Sequence, residues 1–172
     1  MAGVLIQRLV SGGQTGVDRA GLDVAIRYGI EYGGWVPKGG LAEDMQTPPG
    51  LLAVYPLLRE ASTTSMSART KMNVHDSDAT LIIKVSATPL SPGTRLTIDT
   101  CHSQGKPYRV VDPYDWDGAD QVAEFVSSLD ESSPLVLNVA GPRESTSRGI
   151  YDAASSLLVE YVVSYGECIV RH

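Results

Sequence analysis

A glycine-rich segment between an apolar run and a helical run constrains the fold of this chain more than any other feature. Residues 4–10 have the short apolar composition of a buried strand, and the sequence SGGQTG follows directly at residues 11–16. Residues 16–29 then show helical spacing. Glycines let the backbone approach a ligand closely, and the free N–H groups and dipole of a helix N-terminus favour negative charge. The segment therefore predicts a strand–turn–helix unit that binds a phosphate or another oxyanion.

Short apolar segments alternate with helical ones along the rest of the chain. Strands are predicted at residues 4–10, 32–36, 79–85, 108–111 and 134–139, and helices at residues 16–29, 94–104, 119–129 and 150–162. Most of the strands lack polar alternation, which is typical of strands covered on both faces. This order predicts an α/β fold with a parallel sheet and helices on both faces. A length of 172 residues favours a single domain over residues 1–172.

The loops that follow the strands are predicted to lie together. Ligands of open parallel sheets bind beyond the carboxyl ends of the strands. The loops at residues 11–16, 37–50, 86–94 and 139–145 each follow a predicted strand, so we expect them at one edge of the sheet. Residues 37–50 form an irregular connection of unusual length, and long ordered loops are often functional.

The composition favours a small-molecule partner. A formal net charge of −6 argues against broad nucleic-acid or anionic-membrane binding, since both need a basic surface. No apolar run approaches the ~18 residues that span a bilayer, and the first residues lack a signal-peptide pattern. Cys101 and Cys168 form neither a disulfide framework nor a zinc pattern. We therefore expect reduced thiols, a cytoplasmic protein and no metal site built from side chains.

The candidate ligand-binding residues lie in these loops and in one basic segment. Backbone N–H groups and hydroxyls would bind the oxygens of an anion, and arginine and lysine would balance its charge. The candidates are Gly12, Gly13, Gln14, Thr15, Gly16, Lys38, Arg69, Gly93, Thr94, Gly141 and Arg143. On this hypothesis, Gly13→Val abolishes binding and leaves the fold largely intact.

Several of these residues also have simple structural explanations. Thr15 and Asp18 fit helix capping, so Asp18 is interpreted first as a capping residue. Arg143 has Glu144 beside it as an ion-pair partner. Arg69 lies on a segment of helical spacing, one face of which could be solvated. A metal site at residues 75–78 is disfavoured, because Asx turns before a strand explain those side chains.

Six segments, in order through almost the whole chain, resemble the putative molybdenum carrier family. They are residues 11–20, 34–39, 69–74, 77–82, 93–94 and 137–145. The resemblance implies a Rossmann-like fold and a homo-oligomer. It also implies kinship with molybdenum cofactor carrier proteins and with lysine decarboxylase-like phosphoribohydrolases. Molybdenum cofactor or molybdate is the implied ligand, although no residue spacing here reports molybdenum.

The resemblance to the hydrolases is incomplete at the catalytic position. Residues 66–71 (MSARTK) resemble the Met-x-x-Arg-Lys block of those enzymes, which makes Arg69 a candidate. After Gly93 and Thr94, however, Thr97 stands where their glutamate is expected. Asp99 is a poor substitute, since it lies about 200° further around a helix.

The sequence therefore predicts a binding or carrier protein for a phosphate-bearing small molecule or oxyanion. The alternative is a nucleotide-processing enzyme, such as a nucleoside-monophosphate phosphoribohydrolase, for which no catalytic residue is identified. A nucleotide-sensing interaction module also stays open. Neither nucleic acid nor a membrane is expected as a partner.

Overall fold

The computed structural model describes residues 6–130 and 132–166. Its strands are β1 (Ile6–Val10), β2 (Glu31–Gly33), β3 (Trp35–Val36), β4 (Arg59–Glu60), β5 (Ala79–Ile83), β6 (Tyr108–Val111) and β7 (Leu135–Ala140). Its helices are α1 (Val17–Arg27), α2 (Leu51–Val54), α3 (Met66–His75), α4 (Pro92–Gln104), α5 (Gly118–Ser127) and α6 (Ile150–Tyr165). Among these residues, no helix has the length and hydropathy needed to cross a membrane.

The main sheet has five strands in the order β2-β1-β7-β5-β6, and every neighbouring pair is parallel. A separate parallel pair joins β3 to β4. Parallel strands need crossover connections, and helices supply most of them here. The prediction of a Rossmann-like α/β fold is confirmed.

The direction of each crossover places the helices on opposite faces of the sheet. The crossover from β1 to β2 runs toward one edge of the sheet, and the crossover from β5 to β6 runs toward the opposite edge. Because such crossovers are right-handed, α1 and α4 cover different faces. The packing agrees, since α1 and α5 both contact α6, whereas α3 contacts α4. Helices therefore cover both faces, as predicted.

The face under α1, α5 and α6 holds the larger apolar core. Leu81 and Leu137 project from the central strands into it and are almost fully buried. Val122 of α5 and Leu157 of α6 pack against the same strands. Burial of these side chains contributes on the order of 1.5–3 kcal/mol each, which makes this face the main source of stability.

Two of the differences between the predicted and observed elements have a clear physical cause. The predicted strand at residues 32–36 is divided at Gly34, which has φ +127° and lies directly against the backbone carbonyl of Ser11. The part after Gly34 leaves the main sheet and pairs with β4. The predicted helix at residues 94–104 begins earlier, at Pro92, because Ser91 caps it by accepting the Thr94 N–H at 3.2 Å.

Other predicted elements agree closely with the structure. The helix predicted at residues 150–162 is α6, which is followed by Gly166 as expected. Residues 119–129 correspond to α5, which starts and ends one or two residues earlier. Residues 4 and 5 of the first predicted strand, and Cys168, lie outside the described residues. Cys101 is a buried free thiol on α4.

Candidate functional site

A cavity of about 350 Å³ lies at the carboxyl edge of the main sheet. The ends of β1 and β7, the side of α3 and the first turn of α4 form its walls. Its lining is mostly polar and includes Gly12, Gln14, Asp18, Arg69, Asn73, Ser91, Gly93, Thr97, Asn138, Gly141 and Arg143. The neighbouring strands β7 and β5 are followed by α6 and α4, which lie on opposite faces of the sheet. Open α/β sheets bind their ligands at the point where the chain turns to opposite faces in this way.

The loop after β1 satisfies most of its own N–H groups. The Ser11 hydroxyl accepts the Gly13 N–H at 3.2 Å and donates to the Asp18 carbonyl at 2.9 Å. The Gln14 N–H donates to the Asp18 carboxylate at 3.4 Å. The loop is therefore held in shape before any ligand arrives.

Gln14 lines the cavity and keeps one hydrogen-bond donor without a partner among the described residues. Its Oε1 accepts N–H groups from Thr15 and Glu43, both at 3.0 Å, which fixes the orientation of the side-chain amide. Its Nε2 is buried and has no hydrogen-bond partner in the part of the chain that the structure describes. Only 5% of Gln14 is exposed. An unpaired buried donor is costly, about 1–3 kcal/mol, so this amide indicates a site that a ligand completes.

Arg69 and Asp18 form a buried ion pair beside Gln14. Arg69 Nη1 donates to Asp18 Oδ2 at 3.1 Å, and 12% and 6% of the two side chains are exposed. Burial raises the pKa of the Asp18 carboxyl above its ordinary value, although Arg69 acts in the opposite direction. Arg69 Nε has no partner among the described residues. The pair therefore offers the cavity a second free donor.

The ion pair between Arg69 and Asp18 needs a glycine at position 12, because the Arg69 guanidinium occupies the space of a side chain there. A Cβ at residue 12 would overlap the Arg69 guanidinium, so a larger residue would displace it. The Gly12 N–H has no acceptor within the described residues and lies at the cavity wall. The glycine thus allows the backbone and the arginine to occupy the same wall.

Thr15 and Asp18 do not cap α1, so that interpretation is wrong. The N-cap of α1 is Gly16, and no side chain hydrogen-bonds to the end of the helix. The Thr15 hydroxyl donates to Glu43 instead. Asp18 lies in the first turn but points its carboxylate at Arg69.

Glu43 connects three of the loops at this edge. Its carboxylate accepts the Thr15 hydroxyl and both the N–H and the hydroxyl of Ser145. Arg143 Nη1 lies 3.7 Å away. Burial alone would raise the pKa of Glu43, but the hydrogen bonds from Ser145 and Thr15 and the charge of Arg143 hold it below the ordinary value. An ionised Glu43 therefore fixes the long loop against the loops after β1 and β7.

Arg19 makes the second connection to the long loop. Its Nε donates to the Gly13 carbonyl at 3.1 Å, and its guanidinium forms two 2.9 Å hydrogen bonds with Asp44. Glu144, the sequence neighbour of Arg143, instead accepts the N–H groups of Gly149 and Tyr151. The ion pair suggested between Arg143 and Glu144 is thus replaced by the pair with Glu43.

The first turn of α4 contributes one free backbone donor. The N–H groups of Thr94 and Arg95 bond to Ser91, and Pro92 has none. The Gly93 N–H has no acceptor in the described parts of the chain. Gly93 is exposed and lines the cavity, so this donor belongs to the cavity lining.

The structure brings together six of the predicted site residues. Gly12, Gln14, Arg69, Gly93, Gly141 and Arg143 all line the cavity. Thr15 and Gly16 border a neighbouring depression, Thr94 is buried beside Ser91, and Lys38 is exposed after β3. The binding roles of all these residues stay predictions. Asp18, Asn73, Thr97 and Asn138 also line the cavity. The sequence analysis placed ligand binding second to capping for Asp18 and assigned no binding role to the other three.

Gly13 belongs to the interior rather than to the cavity. It has φ +69°, and a Cβ there would lie 2.8 Å from Leu51 Cδ1. We therefore expect Gly13→Val to destabilise the fold, in contrast to the prediction from the sequence. Valine would have to adopt a left-handed conformation and displace the small apolar cluster that contains Leu51 and Val36.

Asp18 is the only carboxylate among the described residues that line the cavity. Asp99, the nearest acid in sequence to Thr97, is exposed on α4. Glu43, Asp44 and Glu144 are engaged in the contacts described above. Within residues 6–130 and 132–166, no group of three His, Cys, Asp or Glu side chains is arranged to hold a metal ion.

Comparison with known proteins identifies relatives over most of the chain. The model of the circularly permutated YpsA SLOG family matches residues 9–162. A crystal structure at 1.45 Å, described as a putative molybdenum carrier protein from Syntrophus aciditrophicus SB, superposes with a TM-score of 0.82. The two sequences are 40% identical, and the match covers 93% of this chain and 97% of that one. No curated protein matches. The resemblance inferred from the sequence motifs is thereby confirmed.

Proposed function

Because the chain belongs to the circularly permutated YpsA SLOG family, and because its cavity contains unused donors, we propose that it is a binding or carrier protein. Its ligand is a phosphate-bearing small molecule or another oxyanion. The ligand occupies the cavity between the loop after β1, the end of β7 and the first turn of α4. Nucleotides and pterin phosphates belong to this class.

The buried Gln14 amide is the observation that carries this proposal. Two backbone N–H groups bind its oxygen, so its nitrogen is the donor that stays without a partner in the described structure, on a residue that lines the cavity. Exposed donors can bond to bulk water, but a donor in a buried amide needs a specific acceptor. An oxyanion supplies acceptor oxygens of suitable strength.

Three further donors support the same ligand class. Arg69 Nε, the Gly12 N–H and the Gly93 N–H belong to residues that line the same cavity, Gly12 beside Arg69 and Gly93 on α4. Hydrogen bonds from such groups to an anion are about twice as strong as bonds between neutral groups. A ligand bonded to several walls at once would be held in one orientation.

The donor set fits molybdenum only as an oxyanion or within a phosphate-bearing cofactor. A relative carries the name molybdenum carrier. No cysteine or histidine lines the cavity, so the described residues offer no soft ligand for the metal itself. Gln14, Arg69 and Gly93 would instead donate to the oxygens of molybdate or of the cofactor phosphate.

The carboxylates argue for binding rather than hydrolysis. Cleavage of an N-glycosidic bond needs a carboxylate poised as acid, base or nucleophile. Asp18 is already paired with Arg69, and Thr97 uses its hydroxyl to donate to the Gly93 carbonyl at 3.1 Å. A carrier needs no such group, so the proposed function accounts for the lining as it stands.

Ligand-dependent stabilisation tests the proposal. We expect phosphate, molybdate, tungstate, AMP or a pterin phosphate, offered at millimolar levels, to raise the melting temperature. A ligand present at 100 times its Kd stabilises the folded state by about 2.7 kcal/mol. If the whole panel leaves the melting temperature unchanged, the proposed function is wrong.

The variant Gln14→Glu locates the site. It retains the oxygen that accepts the Thr15 and Glu43 N–H groups and replaces the free donor with an acceptor. We expect the ligand-induced shift to disappear. Gln7→Glu is the matched control, since it makes the same change at an exposed position on β1. Equal ligand shifts in the two variants would place the binding site elsewhere.

The hydrolase alternative has a separate test. We expect AMP, GMP and IMP to stay intact after long incubation with the protein, as judged by chromatography of the nucleotide and the free base. Base release that Asp18→Asn abolishes would favour an enzyme. We also propose the homo-oligomer that the family resemblance implies, and light scattering of the purified protein measures its mass.

A further inference from the structure

The cavity contains unused acceptors as well as unused donors. The Asp18 carboxylate accepts its hydrogen bonds from Arg69 and Gln14 through Oδ2, and no described residue donates to Oδ1. Asn138 of β7 also lines the cavity and is 3% exposed. Its Nδ2 donates to Thr80 at 3.2 Å, and its Oδ1 receives no bond from the described residues. A ligand that brings only bare oxygens would leave both acceptors unpaired.

The cavity also carries little net positive charge, although many of its polar groups are hydrogen-bond donors. The charged residues of the lining are two arginines and one aspartate, so their formal sum is +1. Arg143 lies 3.7 Å from Glu43, which reduces its effect further. Asp18 neutralises Arg69. Such a site favours an anion of low charge over one with two full charges.

We propose that Asp18 makes the cavity selective for an anion that brings its own O–H donor. This inference rests on the proposed function and names the class of ligand more narrowly. Asp18 Oδ1 accepts the O–H of the ligand, while Gln14 Nε2 and Arg69 Nε donate to its bare oxygens. Fully deprotonated oxyanions are discriminated against, because one of their oxygens would face the carboxylate.

Two sources supply this chemistry. Inorganic phosphate, arsenate and phosphate monoesters retain or readily gain a proton near neutral pH, since the second pKa of a phosphate ester is about 6. A nucleotide supplies a sugar hydroxyl close to its phosphate. Sulfate, molybdate and tungstate carry no proton at neutral pH. Burial also raises the pKa of the Asp18 carboxyl, which suits a proton held between that group and the ligand.

Anion selectivity of the unmodified protein tests the inference. Calorimetric titration at pH 7 and constant ionic strength compares phosphate and arsenate with sulfate, molybdate and tungstate. AMP is compared in parallel with its 2′,3′-dideoxy analogue. We expect phosphate and arsenate to bind at least tenfold more tightly than sulfate, molybdate and tungstate, or AMP to bind at least tenfold more tightly than its dideoxy analogue. The first result places the donor on the anion, and the second places it on the sugar.

The results that would overturn the role of Asp18 differ from those that would overturn the proposed function. Equal or tighter binding of the unprotonated oxyanions, together with equal binding of the two nucleotides, overturns the role of Asp18 and leaves the proposed function standing. Absence of binding by every probe contradicts the proposed function itself.

Asp18→Asn sharpens the assignment. Asparagine keeps an oxygen for Arg69 but loses the charge and turns one acceptor into a donor. We expect the preference for protonated ligands to fall to within about threefold, with sulfate binding gained. Asp99→Asn makes the same change on the exposed side of α4 and should keep the preference. An unchanged preference in Asp18→Asn contradicts the inference. If that variant does not fold, the selectivity of the unmodified protein decides.

Discussion

The two faces of the main sheet are built on different principles. Under α1, α5 and α6, the strands bury leucine, isoleucine and valine in one continuous cluster. Under α3 and α4, the buried groups are largely polar and include Asn73, Thr80, Thr97, Thr100 and Asn138. The first face stabilises the fold by removing apolar surface from water. The second borders the candidate site.

Polarity alone does not mark the site on the second face. Thr97 and Thr100 both donate to carbonyls one turn earlier in α4, at 3.1 and 2.7 Å, and their hydroxyls are therefore satisfied. Gln14 and Arg69 each keep a buried donor without a partner in the described structure. Beside the cavity, unmet hydrogen bonding therefore distinguishes Gln14 and Arg69 from buried groups whose hydrogen bonds are already satisfied.

Loss of the ion pair between Arg69 and Asp18, on the polar face, should destabilise the protein more than any other change proposed here. Arg69→Met leaves the buried Asp18 carboxylate unpaired, and we expect unfolding free energy at pH 7 to fall by about 3–5 kcal/mol. The pKa of Asp18 is already raised by burial and would rise further. The ionised carboxylate then opposes folding, so the loss should grow as the pH rises above 3.8, the ordinary value for this group.

Urea unfolding at pH 7 and pH 4 measures this dependence. The double variant Asp18→Asn/Arg69→Met should recover much of the loss at pH 7, because no buried charge is left alone. The same loss for Arg69→Met at both pH values would show that the pair contributes by packing and not by charge.

A large effect of a different kind is expected on the apolar face. Leu81 is fully buried, and Leu81→Ala should lower the unfolding free energy by about 2–5 kcal/mol through lost burial and a residual cavity. Ligand Kd, measured where the variant is fully folded, should stay within twofold. A tenfold weaker Kd would show that the two faces are not independent.

A matched pair on α4 gives a smaller effect. Thr97 lines the cavity and Thr100 does not, although both are buried and bonded in the same way. Thr97→Val and Thr100→Val should each change stability by about 1 kcal/mol or less. Only Thr97→Val should weaken ligand binding, by up to about tenfold. Equal affinities in calorimetry would remove Thr97 from the site.

The smallest effect concerns the loop connection at Glu43. Its pKa is held below the ordinary value of 4.5, so its contribution is present above that pH and is lost as the pH falls through the lower folded value. Glu43→Gln should cost about 1 kcal/mol or less at pH 7, and the cost should shrink as the pH falls below 4.5. A cost in thermal melts that does not shrink with falling pH would point to the hydrogen-bond geometry of the side chain.

The sequence predicted the elements whose cause is local. Buried parallel strands need short apolar runs, and α6 repeats its apolar residues with helical spacing over its full length. Convergence of the loops could also be predicted, since carboxyl ends of parallel strands share one edge. Gly12, Gly93 and Gly141 accordingly lie together, although 129 residues separate Gly12 from Gly141.

The features that were missed depend on distant contacts. Gly34 divides the predicted second strand because the Ser11 carbonyl occupies the space beside it. Glu43 acquires its role from Thr15 and Ser145, which lie 28 and 102 residues away. Asp18 has the sequence context of a capping residue, and only the position of Arg69 shows its actual partner. Contacts between residues so far apart in the sequence cannot be predicted from a local sequence pattern.

Nuclear magnetic resonance of the free donors gives the most direct test of the proposed site. The ¹⁵N–¹H signals of the Gln14 side-chain amide and of Arg69 Nε–H should shift together as phosphate or AMP is added, with one common Kd. The amide of exposed Gln7 should stay in place. Saturable binding that leaves the Gln14 and Arg69 signals unmoved would contradict an anion site in this cavity.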